Sequence, residues 1–98
     1  MVLTGSCPEP RTNVKKLKEE SNRTLFAFLK SEVDIGLTFA RIARYERNIG
    51  NEEHYKQAKR NALVAAETIE RFKGRLPIAA RRQIETRTSR LTELISAL

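Results

Sequence analysis

The sequence is poor in the residues that build disulfide frameworks, metal centres and aromatic cores. Its 98 residues include one cysteine, one histidine and no tryptophan, and aromatic residues make up 6%. The lone Cys7 excludes an internal disulfide, which is typical of proteins from a reducing compartment. One cysteine and one histidine also exclude a Cys/His zinc set within one chain. We therefore expect a cytoplasmic protein with no metal and no cofactor.

Long apolar runs and helix-breaking residues are scarce as well. Its longest apolar runs, such as residues 62–66, contain five residues, far fewer than the roughly 20 that a membrane-spanning helix needs. The 4 glycines and 3 prolines are few, and we expect each to mark a helix start or stop. These absences argue against a membrane protein and favour uninterrupted helices.

The clearest positive signal is a helical periodicity between residues 51 and 73. Apolar residues recur there at steps of three and four, which is the spacing of one helix face. Its members are Tyr55, Ala58, Ala62, Ala65, Ala66, Ile69 and Phe72. Because alanine occupies the middle of this face, a neighbouring helix is expected to approach closely.

Similar patterns predict helices on either side. Residues 13–49 are predicted to form one kinked helix or two, and we favour two with a break near residues 30–32, where Ser31 caps the second one. The apolar stripe predicted for this second helix is Ile35, Phe39, Ile42, Ala43 and Ile49, flanked by Leu37 and Ala40. Gly50 and Asn51 then mark a turn, as a helix C′ residue and an N-cap.

A last helix is expected to start at Pro77, which suits the first helical position. One face of it carries Ala80, Ile84, Thr88, Leu91, Ile95 and Leu98. Residues 1–12 have no periodicity and are predicted to be a disordered lead to a single helical domain, 13–98. Short connections imply antiparallel neighbours, so the predicted fold is a small all-α antiparallel bundle of three to four helices built from helical hairpins.

The segment 39–65 resembles one tetratricopeptide-type helical hairpin. Phe39, Ile42, Ala43 and Gly50 match the first helix and turn, and Ala58, Ala62 and Ala65 keep the spacing of the second helix. The sequence departs from the family at Glu46 and Ala62, where aromatic residues are expected, and at Glu70, which replaces the closing proline. The resemblance covers one copy and implies peptide or protein binding on a concave face.

Two features are candidate partner-binding sites. Leu25, Phe26, Phe28 and Leu29 are nearly adjacent, so they cannot all point into one narrow helix interface. Glu46 falls on an otherwise apolar stripe, where a carboxylate must be paired or reach solvent. It is predicted either to pair with Lys59 or Arg60 or to act as an acid in a binding groove.

The net charge of +7 attracts nucleic acid, acidic proteins or anionic surfaces without choosing among them. Candidate anion-binding residues are Arg81, Arg82 and Arg90, but helical spacing spreads them around their helix. No pattern of catalytic residues is present, so we expect a non-enzyme. The leading hypothesis is a protein–protein interaction or self-association module, with a protein partner or a homodimer. The alternative is a basic accessory protein that binds nucleic acid weakly and without sequence preference.

Overall fold

The computed structural model describes the backbone of residues 10–98 and the side chains of residues 16–98. Within this range the chain forms three α-helices, α1 (Pro10–Asn48), α2 (Glu52–Phe72) and α3 (Ile78–Ser96). A 3₁₀ turn, Lys73–Arg75, directly follows α2. The predicted all-α fold of three to four helices is therefore confirmed, with three helices.

Helix α1 is continuous through the segment where the sequence predicted a break. The expected boundary at residues 30–32, with Ser31 as an N-cap, is wrong. Leu29 and Val33 lie on either side of Ser31, and both are buried. An unbroken helix keeps residues that are four apart on one face, so the burial of both side chains outweighs the capping preference of Ser31.

The start of α1 also differs from the prediction. The helix begins at Pro10, three residues before the expected start at Asn13, and proline is well suited to a first helical turn. The remainder of the predicted lead, residues 1–9 with Cys7, lies outside the described residues.

The turn between α1 and α2 is built as the sequence predicted. Gly50 has a φ of 80°, a left-handed conformation that glycine adopts without steric cost. The amides of Gly50 and Asn51 donate to the carbonyls of Arg47 and Glu46, at 3.1 and 2.9 Å, which is the Schellman arrangement. The side chain of Asn51 in turn accepts from the His54 amide at 3.3 Å. Two residues thus end one helix and start the next, which makes α1 and α2 antiparallel.

The core lies where the second half of α1 meets α2 and α3. The predicted inner face of α2 is confirmed, since Ala58, Ala62, Ala65 and Ile69 are buried. Helix α3 buries Ile84, Thr88 and Leu91, as predicted. Thr88 satisfies its hydroxyl by donating to the Ile84 carbonyl at 2.7 Å.

The buried face of α1 differs from the predicted stripe. The structure buries a row of mostly small residues on α1, namely Leu29, Val33, Gly36, Ala40 and Ala43. Ile35, Ile42 and Ile49, which were predicted to face the core, are exposed. Gly36 is in the middle of a helix and not at a boundary, because a Cβ there would lie 2.7 Å from Leu91 Cδ2 and 3.2 Å from Ala65 Cβ.

Side-chain hydrogen bonds connect the C-terminal end of α3 to the other two helices. Helix α3 starts at Ile78, with Pro77 at the N-cap, one residue later than predicted. At the other end, Arg47 Nη1 donates to the carbonyls of Ala97 and Leu98, at 2.9 and 2.8 Å. The hydroxyl of Tyr55 donates to the same Leu98 carbonyl at 2.7 Å. These bonds fasten the last turn of α3 to both other helices.

The molecule is elongated, with principal extents of 70 × 26 × 15 Å. A helix of 39 residues is about 58 Å long, whereas α2 and α3 are roughly half that length. The side chains of residues 16–20 are all exposed, and packing against the core begins at Leu25. The first part of α1 is therefore an arm that extends from a three-helix bundle.

Candidate interaction surface

Four large apolar side chains form an exposed row along α1, three of them within the helix and one on the residue that follows its end at Asn48. They are Phe28, Ile35, Ile42 and Ile49, with exposed fractions of 45%, 44%, 41% and 57%. Successive members are seven residues apart, which is close to two helical turns, so they lie on nearly one line about 32 Å long. We call these four residues the exposed row.

The predicted cluster at residues 25–29 divides between this row and the core. Leu29 is fully buried and belongs to the core, so its side chain does not reach a partner in this fold. Leu25 and Phe26 pack partly against the core. Phe28 is exposed. The expectation that the cluster cannot be buried as a whole agrees with this arrangement, and Phe28 is its accessible member.

Glu46 lies beside the row, at a groove between α1 and α2. A cavity of about 190 Å³ is bordered there by Phe39, Ile42 and Glu46 of α1, together with His54, Gln57, Ala58 and Asn61 of α2. The Glu46 side chain is only 16% exposed, and its Oε2 atom is buried with no hydrogen-bond partner among the described residues. The groove thus combines apolar side chains and the polar side chains of α2 with an acceptor that has no donor among the described residues.

The neighbour of Glu46 is His54, not Lys59 or Arg60 as the sequence suggested. His54 Nδ1 lies 3.8 Å from Glu46 Oε2, which is too long for a hydrogen bond. The same Nδ1 is 3.0 Å from Asn51 Nδ2, and a nitrogen that accepts from an amide has no proton for the carboxylate. Lys59 instead lies 5.8 Å from the centre of the Tyr55 ring.

The predicted anion-binding arginines do not form a common surface. Arg81 is half-buried, and its Nη2 donates to the carbonyls of Gly74 and Leu76, both at 3.3 Å. It therefore closes the turn before α3. Arg82 and Arg90 are exposed, but their separation of eight residues places them about 80° apart around the helix. The structure does not bring the three together.

Among the described residues, no cluster of three or more histidine, cysteine or acidic residues could hold a metal ion. Over the same part of the chain, none of the helices has a stretch long and apolar enough to cross a bilayer.

Sequence reasoning missed three of the four members of the exposed row as surface residues. Ile35, Ile42 and Ile49 were assigned to the core because isoleucine is usually buried. The available signal was the exact seven-residue spacing from Phe28, combined with a second, parallel line of small residues that could serve as the core face.

No protein-family model, curated protein or solved structure matches this chain.

Proposed function

We propose that this protein is a non-enzymatic interaction module that binds another α-helix along the exposed row. The observation that supports this proposal is the arrangement of α1. One face of the helix buries Gly36, Ala40 and Ala43, while Ile35 and Ile42, which are much larger, remain in solvent. Large aliphatic residues are normally the ones that are buried.

The pattern of the exposed residues favours a helical partner. Single exposed apolar residues are common on protein surfaces and need no explanation. A line of four with a constant spacing of seven is different, because a seven-residue repeat is the pattern by which two helices pack along each other. Helix-in-groove recognition uses the same kind of regularly spaced anchors.

The groove beside the row adds a polar determinant. Glu46 offers a carboxylate oxygen that has no donor within the described chain, and an unpaired buried acceptor costs about 1–3 kcal/mol. A partner that supplies a donor there removes this cost on binding. Both a separate protein and a second copy of this chain fit such a surface.

The proposal is tested by selecting helical peptides from a displayed library against the full chain. Binders are then tested against Ile35→Lys and Ile42→Lys, which place a charge in the row. Ile78→Lys is the matched control, since Ile78 is an isoleucine that is 63% exposed at the start of α3. Binding that is lost with the row variants and kept with the control supports the proposal. Failure to select any row-dependent helix contradicts it.

A further inference from the structure

The seven-residue spacing of the exposed row matches one position of a coiled-coil heptad. Heptad positions can therefore also be assigned to the residues beside the row. If the row occupies the a positions, Arg41 and Asp34 fall at g, immediately before Ile42 and Ile35. Glu32, Phe39 and Glu46 fall at e, four residues after a row member. In paired helices the e and g residues flank the apolar seam and determine partner choice and orientation.

We infer that the partner of the row is a second copy of this chain, aligned parallel and in register, with Arg41 of each copy reaching Glu46 of the other. This inference rests on the proposed function, because it uses the same row. A two-fold interface brings the same patch of both copies together, so each row member meets its own equivalent. The chain supplies both halves of the contact.

The charges distinguish parallel from antiparallel pairing. In a parallel pair, a g residue faces the e residue of the following heptad, so Arg41 faces Glu46 of the second copy. Asp34 faces Phe39, which carries no charge. In an antiparallel pair e faces e, and Glu32 then faces Glu46, so like charges meet twice across the interface. The antiparallel contact of Asp34 with Arg41 is favourable, but it leaves Glu46 without a cation.

The proposed pairing supplies Glu46 with a hydrogen-bond donor from the second copy. Its Oε2 atom has no donor within the described residues, and the cavity beside it opens next to Ile42, a member of the row. Arg41 is exposed, and its guanidinium carries five donors on a long side chain. A helix lying along the row brings this group to the mouth of the cavity.

The geometry leaves room for the second copy and predicts a weak dimer. Gly36 of α1 contacts Leu91 of α3, and the row members lie roughly 80–140° around the helix from Gly36. Helix α2 borders the row at Ile42, but all four row members keep 41% or more of their surface exposed. The row covers only residues 28–49, about three heptads, which is the minimum for a sustained coiled-coil pattern. Of the d positions, Ser31 and Thr38 contribute little apolar area, and the third, Tyr45, is 62% exposed. We therefore expect a dissociation constant of about 10–100 µM, at the weak end for specific interfaces.

Sedimentation equilibrium of the full chain tests the pairing. The wild type is expected to dimerise reversibly over this range. Arg41→Glu places two acids together and is expected to weaken the dimer at least about fivefold, and Glu46→Gln to weaken it less. Combining Arg41→Glu with Glu46→Arg restores opposite charges and is expected to recover the wild-type constant to within about twofold. Circular dichroism of each variant verifies that the helices are retained, and Arg82→Glu is the charge-matched control on α3.

Cross-linking tests the orientation. Ser31→Cys in a Cys7→Ser background places one thiol per chain at a d position, where parallel helices bring equivalent residues within disulfide range. In an antiparallel pair centred between Ile35 and Ile42, the two thiols are about 22 Å apart. Rapid disulfide formation with Ser31→Cys, and none with Thr86→Cys on the exposed side of α3, supports the parallel dimer.

The outcomes separate this inference from the proposed function. A chain that stays monomeric up to about 1 mM, a concentration that populates even very weak dimers, contradicts the second copy as partner. A dimer whose stability does not depend on Arg41 and Glu46, or a failure of Ser31→Cys to cross-link, contradicts the parallel pairing along the row. In each of these cases the proposed function stands if selected helical peptides still depend on Ile35 and Ile42. If the selected peptides do not depend on these two residues, the proposed function is contradicted together with the inference.

Discussion

Leu91 of α3 occupies the space that Gly36 leaves open on α1. A Cβ atom at residue 36 would lie 2.7 Å from Leu91 Cδ2, a distance shorter than normal carbon contacts permit. Leu91 is fully buried. The missing side chain on α1 therefore sets how closely α3 approaches, and it determines which face of α1 becomes the core.

This contact predicts the effect of adding a methyl group. Gly36→Ala gains up to about 1 kcal/mol of helix propensity, but the new methyl overlaps Leu91 and presses on Ala65. Overpacking a filled core costs about 1–3 kcal/mol, so we expect a net loss of about 1 kcal/mol in the free energy of unfolding, measured in urea. Gly36→Val is expected to lose more. Gly74→Ala is the control, because a Cβ there meets nothing within 4 Å.

A Gly36→Ala variant as stable as the wild type would mean that Leu91 moves aside without cost. The close approach of α3 would then not depend on Gly36.

The buried alanine residues on the inner face of α2 give a second stability prediction. Ala62 is fully buried at the centre of the core, so Ala62→Leu inserts three additional carbon atoms where no space is available. We expect a loss of about 1–3 kcal/mol in the free energy of unfolding. Val64→Leu, at an exposed position of the same helix, should change little. Equal denaturation midpoints for the wild type and Ala62→Leu would contradict the packing described here.

Lys73 links the end of α2 to α3, and it gives a prediction about pH. Its Nζ lies 2.8 Å from Glu70 Oε2 and 3.3 Å from Glu85 Oε2. The hydrogen bond to Glu70 raises the pKa of Lys73 above 10.5, with Glu85 adding to the effect and burial opposing it. Because the folded-state pKa is the higher one, the stabilisation is complete below about pH 10.5 and is lost as pH rises through the folded-state pKa.

Thermal unfolding of the wild type and Lys73→Met measures this contribution. We expect a difference below about 1 kcal/mol at neutral pH, since Glu70 is largely exposed to solvent. The stability difference between the two proteins should shrink at pH values above the pKa of Lys73. The contributions of the other titrating groups are the same in both proteins and cancel in this difference. A difference that is constant from neutral to strongly alkaline pH would refute the link.

The arginines of α3 bear on nucleic-acid binding. Arg81 is engaged with backbone carbonyls, and Arg82 and Arg90 lie about 80° apart around α3. We therefore expect weak binding of duplex DNA that is insensitive to sequence. The logarithm of its affinity should fall by roughly 0.9 per phosphate contacted for each tenfold rise in salt. Fluorescence anisotropy across a salt series measures this, and tight binding of one sequence at about 0.2 M salt would favour the nucleic-acid hypothesis instead.

The sequence predicted α2, α3 and most of their inner faces, but neither the continuity of α1 nor its orientation. On α2 and α3 the buried residues follow a single apolar periodicity, so the predicted faces are confirmed. Helix α1 carries two lines of residues. The line that contains Ile35 and Ile42 has the greater hydrophobicity, and the line that contains Gly36 has the better fit to close-packed neighbours.

Periodicity alone favours the more hydrophobic line, because it counts apolar residues and ignores their volume. The choice between the lines depends on the space between helices, which Ala62, Ala65 and Leu91 determine from elsewhere in the chain. Such long-range packing cannot be obtained from local spacing. The same reasoning explains Ser31, whose capping preference is local, whereas the burial of Leu29 and Val33 is not.

The most direct test of the account is the affinity of a row-binding helix for three forms of the full chain. Isothermal titration would compare the wild type, Ile42→Lys and Ile78→Lys. If the exposed row is the interaction surface, Ile42→Lys should weaken binding at least about tenfold, as expected for removing a central apolar anchor and burying a charge. Ile78→Lys should leave the affinity unchanged. Equal affinities for Ile42→Lys and the wild type would show that the row is not where partners bind.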